Sequence, residues 1–593
     1  MPLKLIVLSA VLISIAGISI SFKKRTLVAA SVYAKQIAIL NDKLDAFNSA
    51  TRDKSPLQKL RKSFVEARIA YKTASIITDY FFPALFRRIN GPDLKFAEED
   101  NPDDIRNPHG FQVMERMLYG EGDSVNYAGL LNEVTLLQDA FNSIVPMADQ
   151  ENMFSDPLVF DAMRMATIRL ISMGITGFDS PVAQNSLEEA NGVLVGMQQI
   201  LTAFGEDDCA AIAQRAVASL HQHTDFNAFD RLRFIREYGD PLYAALTDAS
   251  KLPGRVMPEE RRPINLSARS IFSKHFFDIN FFSPNSRYLA TPERVLLGKQ
   301  LFYDSILSIS RKRSCAGCHN PSKAFADGMR TPSSLTKTGT ITRNTPTLLN
   351  AAWQTRFFYD SRTATLENQL SSVVHNTDEM EGSLKEAIKR IRQHPRYNNQ
   401  FKNAYPGAND AITEYNIANA ISSYVRSLTD YNSRFDKYMR GEGELSKSEK
   451  AGFNLFAGKA KCATCHYVPL FNGLVPPEFT ETESEVIGVP AVSKKTFDGD
   501  AGKYLFTRSA IHRNAFKTPT IRNIALTAPY MHNGVFETLE EVMDFYNKGG
   551  GAGTHTAPEN QTLPAEKLRL SKKEIKNIIA FMKALTDENG MQR

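Results

Sequence analysis

A chain of 593 residues is long enough for several domains, and 42% hydrophobic with 23% charged residues is the balance of an ordinary globular protein with material for full cores. A net charge of +6 is small for this length, and no long Lys/Arg run interleaved with aromatics appears, which argues against a nucleic-acid partner. Five cysteines are not needed as staples in so large a chain, so their placement points to chemistry.

The first element is an apolar run from Leu5 to about Phe22, preceded by Lys4 and followed by Lys23, Lys24 and Arg25. It predicts a signal peptide or membrane anchor over residues 1–23. A small-residue cleavage site is weakly defined around Ala16 and Ser19. The three basic residues alone would favour a cytoplasmic C-terminal side. The chemistry of the cysteines, argued below, requires export and outweighs them.

Residues 24–255 read as a helical domain. The stretch "FVEARIAYKTASIITDYFFPALF" is amphipathic, with Phe64, Ala67, Ile69, Ile76 and Tyr80 among its apolar positions. The stretch "RNPHGFQVMERMLYGEGD" loosely resembles the G-x-H-x-x-E motif of imelysin-like helical proteins, at Gly110, Gln112 and Glu115. Gln112 replaces the His and His109 is out of register, so helix packing is favoured over metal binding. Cys209 reads as a small buried apolar side chain. "KLPGRVMPEERRPIN" is rich in Pro and charge, and residues 256–290 are read as a linker, with "SIFSKHFFDINFFSP" packing on the unit that follows.

The remaining four cysteines fall in two copies of one pattern, C-A-G-C-H at Cys315, Cys318 and His319, and C-A-T-C-H at Cys462, Cys465 and His466. Two thiols three positions apart followed at once by His is the attachment signature of a c-type haem. The thiols bond to the two vinyl groups of one porphyrin, and the imidazole becomes the proximal ligand of its iron. Zinc is the main rival, but a His directly after the second Cys is not its usual ligand spacing. A redox disulfide would not need the His. Covalent attachment takes place outside the bacterial inner membrane, so the motifs and the N-terminal run support each other. Together they predict a periplasmic or cell-envelope location, tethered to the inner membrane if the run is retained.

Each motif sits in the same local frame. Before the first, Thr291 caps a helix with Pro292 at its first position and Val295, Leu296 and Phe302 apolar. Before the second, Ser446 and Glu449 form a capping box, followed by Phe453 and Phe456. Each unit closes on an amphipathic helix. The first carries Ile417, Ala420, Ile421, Tyr424, Val425 and Leu428; the second carries a Ser571–Glu574 capping box, then Ile575, Ile578, Ile579, Met582 and Leu585. Strand signals are weak. The chain is read as all-α: an N-terminal helical domain, then two cytochrome c-like domains over 291–435 and 436–593.

From about Thr291 onward the sequence resembles the bacterial dihaem cytochrome c peroxidase family, including its MauG-like members. The resemblance is carried by "LGKQLFYDSILSIS", "RNTPTLLNAAWQTRFFYDSRTATLENQ" and "FKTPTIRNIALTAPYMHNGVFETLEEVMDFYNKGG". It implies that hydrogen peroxide reacts at the first haem and that the second passes electrons inward from a small cytochrome c or other redox-protein donor. A homodimer is one assembly left open. The family's distal Gln and Glu correspond to Gln369 and Glu379 in "LENQLSSVVHNTDEM". Cleaving peroxide needs a group that takes a proton from one oxygen and returns it to the other, and a buried carboxylate suits that role. His375 is read as an ordinary loop histidine.

Three departures and one further site follow from the resemblance. No His lies between His319 and His375, where many family members carry a removable ligand, which implies a first haem open to peroxide, as in MauG-like enzymes. Tyr546 stands where peroxidases of the family place a Met ligand on the second haem, with Met543 as the weaker alternative; a phenolate favours the ferric state. Tyr359 takes the place of the inter-haem Trp relay, while the sole Trp, Trp353, does not align. A calcium ion between the haem domains would be bound by Asn344 and the carbonyls of Thr527 and Pro529, and hard oxygen donors suit it. His532 matches a position near that interface and receives no ligand role. The reading is a cytochrome c peroxidase that reduces hydrogen peroxide to water, with a MauG-like oxidase acting on a protein substrate and a dihaem electron carrier as the alternatives.

Overall fold

The structure, a computed structural model, describes residues 3–97, 101–120, 124–148, 153–223, 225–257, 260–335 and 341–587, except for the side chains of 3–27 and 147–148. The expected signal peptide or anchor over 1–23 therefore lies outside the described side chains. Among the described residues, no helix is long and apolar enough to cross a membrane. The chain divides into two compact units.

The first unit comprises Met1–Lys95, Arg106–Glu260 and Ser267–Ile271. Its main helices are α1 (Leu3–Arg52), α2 (Leu57–Phe81), α3 (Asp156–Arg169) and α4 (Ser186–Phe204). Helix α2 buries Leu60, Phe64, Ala67, Tyr71 and Ala74, a three-to-four spacing that makes one continuous inner stripe. Ile69 and Tyr80, expected on that stripe, are only half-buried. The same helix buries two cations that its apolar pattern did not reveal. Arg68 pairs with Glu189 at 3.0 Å, and Lys72 with Asp179 at 2.7 Å. Arg169 of α3 also pairs with Asp179, at 2.7 Å, so each charge is answered within the core. Cys209 is buried.

The 110–115 stretch works in packing. Buried Glu115 accepts from the Ser180 hydroxyl at 2.7 Å and the Ala183 N–H at 2.6 Å. Gln112 donates to the Phe178 carbonyl at 3.1 Å. This segment thus pins the 178–183 turn, and burial pushes Glu115 up to about 7.

The second unit comprises Phe96–Ile105, Arg261–Leu266 and Phe272–Arg593. It is built from two copies of one helical plan. The first copy contains α5 (Pro292–Tyr303), α6 (Leu366–His375) and α7 (Glu414–Ser427). The second contains α8 (Lys447–Phe456), α9 (Leu539–Asn547) and α10 (Lys572–Ala584). The caps form as their residue types dictate: the Thr291 hydroxyl accepts from the Arg294 N–H, and both Ser446–Glu449 and Ser571–Glu574 close as capping boxes.

Helix α5 crosses α7, and α8 crosses α10, at a glycine in each copy. A Cβ on Gly298 would lie 1.8 Å from the Ala420 carbonyl oxygen, and one on Gly452 would lie 2.0 Å from that of Asn577. Only glycine permits these close backbone approaches. Around the first crossing, Leu297, Leu301, Phe302, Ile417, Ile421 and Tyr424 form a core. Leu296, expected on the apolar face, is exposed instead, and Leu297 takes its place inside. Around the second, Phe453, Phe456 and Phe581 pack with ring centroids 5.3 Å apart for Phe453–Phe581 and for Phe456–Phe581. Burying such a ring contributes roughly 1.5–3 kcal/mol.

The aromatic segment ahead of α5 belongs to this unit. Phe272, Phe276 and Phe282 are buried, and Phe272 meets Phe435 edge-on at 6.0 Å. The fold is all-α. The one sheet among the described residues is a ribbon of β1 (Ser484–Glu485) and β2 (Phe516–Lys517), paired antiparallel.

Candidate functional site

The two Cys-x-x-Cys-His segments fold alike. Each begins a single helical turn, and each His N–H closes it by donating to the carbonyl of its first Cys, at 2.9 Å for both His319 and His466. The rings are then pinned from the other side. His319 Nδ1 donates to the Phe325 carbonyl at 3.0 Å, and His466 Nδ1 to the Phe471 carbonyl at 3.3 Å. The carbonyls of Pro346 and Pro519 face the same two rings. A carbonyl only accepts, so Nδ1 carries the proton and Nε2 keeps its lone pair. Burial lowers the pKa of His319 and brings that of His466 down to about 4, so both rings are neutral. All four thiols are free, and burial pushes Cys315 and Cys462 up to about 12. Two free thiols beside a neutral imidazole with an available nitrogen are the donor set that a covalently attached haem needs.

Behind each imidazole lies a second repeated device. After Pro346 and Pro519 the chain turns at Asn350 and Asn523, both in the left-handed region with φ of 58° and 63°, which Asn tolerates. The Asn350 N–H donates to the Leu428 carbonyl and the Asn523 N–H to the Leu585 carbonyl, each at 3.2 Å. The side-chain oxygen of Asn350 accepts from the Asp430 N–H at 2.8 Å, and that of Asn523 from the Asp587 N–H at 2.9 Å. Each closing helix is thereby tied to the loop that holds its own haem ligand. Asp587 joins the copies, accepting from the amides of Asn350 at 3.1 Å and Asn523 at 2.9 Å. Sequence reasoning missed these residues, although "TPT" followed by Asn and the repeated "LTD" were visible in both copies.

What surrounds the two motifs differs. In the first copy, α6 is capped by Thr365 and carries half-buried Gln369, whose side chain makes no hydrogen bond among the described residues. The loop after α6 brings Glu379 back toward the motif. Its carboxylate accepts from Asn376 at 2.8 Å, and Arg313 donates to its backbone carbonyl at 3.0 Å. Burial raises the Glu379 pKa, while Arg362, Asn376 and Arg313 oppose that rise. The Cys318 thiol, raised chiefly by burial, also feels the charge of Glu379, which sets that carboxylate beside the first motif. His375 is not in a loop as expected. It ends α6, exposed, with Nδ1 donating to the Ser371 carbonyl at 2.8 Å.

In the second copy, α9 presents half-buried Tyr546. Its phenol is raised by burial and then by Cys465, Cys462 and Glu485, so it lies beside the second motif. Met543, one turn earlier, is buried. Between the copies, the Tyr359 hydroxyl donates to Asn344 Oδ1 at 3.3 Å, and the Tyr359 carbonyl accepts from the Lys517 N–H at 2.7 Å. Trp353 is buried edge-on against Tyr431 at 5.7 Å, and its carbonyl accepts from Asn472. Asn344 is tied to the 527–532 segment by its N–H to the His532 carbonyl at 2.7 Å. Its amide nitrogen donates to the Met329 carbonyl at 2.8 Å, leaving Oδ1 as its acceptor. The carbonyls of Thr527 and Pro529 accept no hydrogen bond among the described residues. These free hard oxygens are of the kind calcium takes. His532 is buried, stacked on Phe516 at 3.8 Å, with Nε2 3.5 Å from Asp498.

Two tandem c-type haem-binding copies in one compact unit define a dihaem cytochrome. The family model for di-haem cytochrome c peroxidase matches residues 292–444. The methylamine utilization protein MauG of Methylorubrum extorquens is 35% identical over 299 residues, covering 50% of this chain and 79% of that protein. Cytochrome c551 peroxidase of Nitrosomonas europaea is 32% identical over 294 residues, covering 49% of this chain and 79% of the relative. A crystal structure of a MauG-like protein associated with microbial copper homeostasis matches with a TM-score of 0.48 at 30% identity, over 52% of this chain and 93% of that one. Through its C-terminal half the chain belongs to the di-haem cytochrome c peroxidase family, oxidoreductases that include both peroxidases and MauG proteins. Membership implies two c-type haems, and the thiols and imidazoles described above fit them.

Proposed function

We propose that the protein reduces hydrogen peroxide to water at the haem held by Cys315, Cys318 and His319, with electrons arriving through the haem of Cys462, Cys465 and His466. The observation that carries this reading is Glu379, a half-buried carboxylate with a raised pKa returned by its loop to the first motif. Each haem, when bound, supplies iron and electrons, and the chain supplies protons and geometry. Glu379 takes a proton from the near oxygen of peroxide and returns it to the far one, and Gln369 donates a hydrogen bond that orients the substrate. Two electrons and two further protons complete the conversion of peroxide to two waters. The electrons come from a small redox protein, with Tyr359 as a relay between the copies. Asn344, Thr527 and Pro529 are the proposed calcium donors. Haem attachment at both motifs supports export to the periplasm or cell envelope.

A second reading is favoured by Tyr546 beside the second motif and by the lack of any His between His319 and His375: a MauG-like oxidase that spends its oxidising equivalents on a protein substrate. Peroxide titration of the ferric protein tests both. One high-spin haem that reacts with peroxide, next to one low-spin haem, is expected. Turnover with reduced cytochrome c favours the peroxidase; oxidising equivalents that persist without such turnover favour the oxidase. Two low-spin haems inert to peroxide would leave only an electron carrier and sink both.

A further inference from the structure

The ribbon of β1 and β2 has two faces that meet different surroundings. Ser484 pairs with Lys517, so their side chains share a face. That face meets the first copy: the Ser484 hydroxyl is 3.2 Å from that of Ser361, and the Lys517 ammonium donates to Gln354 at 2.7 Å. Side chains alternate along a strand, which sends Glu483 and Glu485 to the opposite face. There they meet the second haem-attachment segment. Glu485 Oε1 lies 3.8 Å from the Cys465 thiol, and its other oxygen accepts from the Thr562 hydroxyl. Glu483 accepts from the Tyr467 hydroxyl at 2.6 Å, and Tyr467 directly follows His466.

Neither carboxylate forms an ion pair among the described residues, and burial raises the pKa of both, that of Glu483 to about 8. Two half-buried carboxylates without a cation beside them are costly to ionise in the protein alone. The cation that would answer them is the iron of the haem attached next to them. A fixed negative charge in a low-dielectric surrounding stabilises ferric over ferrous iron and lowers the potential of the couple. Tyr546, which lies close enough to Glu485 to feel its charge, would act in the same direction as a phenolate ligand.

We propose that Glu483 and Glu485 are positioning residues of an electrostatic kind: together they hold the haem of His466 at a low reduction potential. The inference rests on the proposed assignment of that haem. It makes the second haem a ready electron source for the first, and it gives the ribbon a function: one face docks on the first copy while the other biases the second haem toward oxidation.

The test is a spectroelectrochemical titration of the holoprotein with both haems attached, compared with Glu485→Gln, Glu483→Gln and Glu485→Asp. Both Gln variants should retain two covalent haems and the low-spin spectrum while the midpoint of the low-spin haem moves positive. Glu485→Asp, which keeps the charge, should stay near the starting value. The high-spin haem, away from this face, should shift less. A low-spin midpoint unchanged in both Gln variants, with spectra intact, overturns this inference and leaves the assignment of the second haem standing. A starting protein without a second, low-spin haem overturns both.

Discussion

His319 and His466 are held by the same hydrogen bond to a Phe carbonyl, and Asn350 and Asn523 make the same turn onto the end of their closing helices. Around these matched frames the walls diverge. The first copy sets Gln369 on α6 and returns Glu379 by a loop; the second sets Tyr546 on α9 and adds Glu485 on the ribbon with Glu483 just before it. The difference teaches where chemistry is decided in a duplicated fold. The frame fixes a neutral imidazole beside two thiols, and the next helix and its loop supply the side chains that would face a haem held there, a Gln and a Glu in one copy and a Tyr in the other.

Removing Glu379 should break the comparison most sharply. Glu379→Gln keeps the shape but cannot carry a proton, and peroxide consumption should fall by roughly 10²–10⁴-fold with both haems retained. Stopped-flow mixing with peroxide measures this, and a rate within a few-fold of the parent protein would remove Glu379 from the mechanism. The pH profile adds a sign. Burial places the Glu379 pKa above its ordinary 4.5, so the basic form and the rate should increase as pH rises through that elevated value.

Each copy also buries an ion pair that the other lacks. Arg426 pairs with Glu367 at 2.7 Å in the first, where the second has Lys583, and Arg522 pairs with Asp436 at 2.8 Å in the second, where the first has Leu349. Arg426→Met or Arg522→Met strands a buried carboxylate, and each should cost about 3–5 kcal/mol. Denaturant unfolding of the holoprotein would read the two costs, and a change under about 1 kcal/mol would mean the stranded acid finds water. A smaller, site-confined effect is expected of Tyr546→Phe. It should alter the spectrum of the low-spin haem and leave the first haem's reaction with peroxide in place; an unchanged low-spin spectrum would remove Tyr546 as a ligand.

Much of this was legible in the sequence because it rests on local rules. The haem signature, the Thr291 cap and the two capping boxes depend on neighbours within a few residues, and each formed as its spacing dictates. What escaped were charges whose meaning lies across the fold. The acidic run "ETESE" carried no local signal, yet the chain turns Glu483, just before the ribbon, and Glu485, on it, onto the second motif. Nothing local in the sequence singles out Arg68 and Lys72, yet Asp179 and Glu189 receive them in the core. Leu296 and Leu297 exchanged places because two adjacent leucines cannot both face one neighbour, and the periodicity alone did not say which would turn inward.

The finest test of the shared frame is Asp587, the one residue bonded to both asparagine turns among the described residues. Burial pushes its carboxyl up to about 6, from 3.8 in the unfolded chain. The folded protein therefore binds this proton more tightly than the unfolded one, so the contribution favours folding below about pH 4 and is lost as pH rises through about 6. Asp587→Asn is neutral throughout and should remove that part of the pH dependence. Its amide can keep its oxygen toward Asn350 and Asn523, but its NH2 then faces the Asn432 N–H that Asp587 Oδ1 accepts, and losing that buried hydrogen bond should cost about 1–3 kcal/mol. Unfolding curves of both proteins between pH 4 and 7 should therefore converge as pH rises, with the variant the less stable at the acidic end. Parallel curves would show that Asp587 is ionised in the folded protein across the whole range, with Asn350 and Asn523 bonding a charge and not a neutral acid.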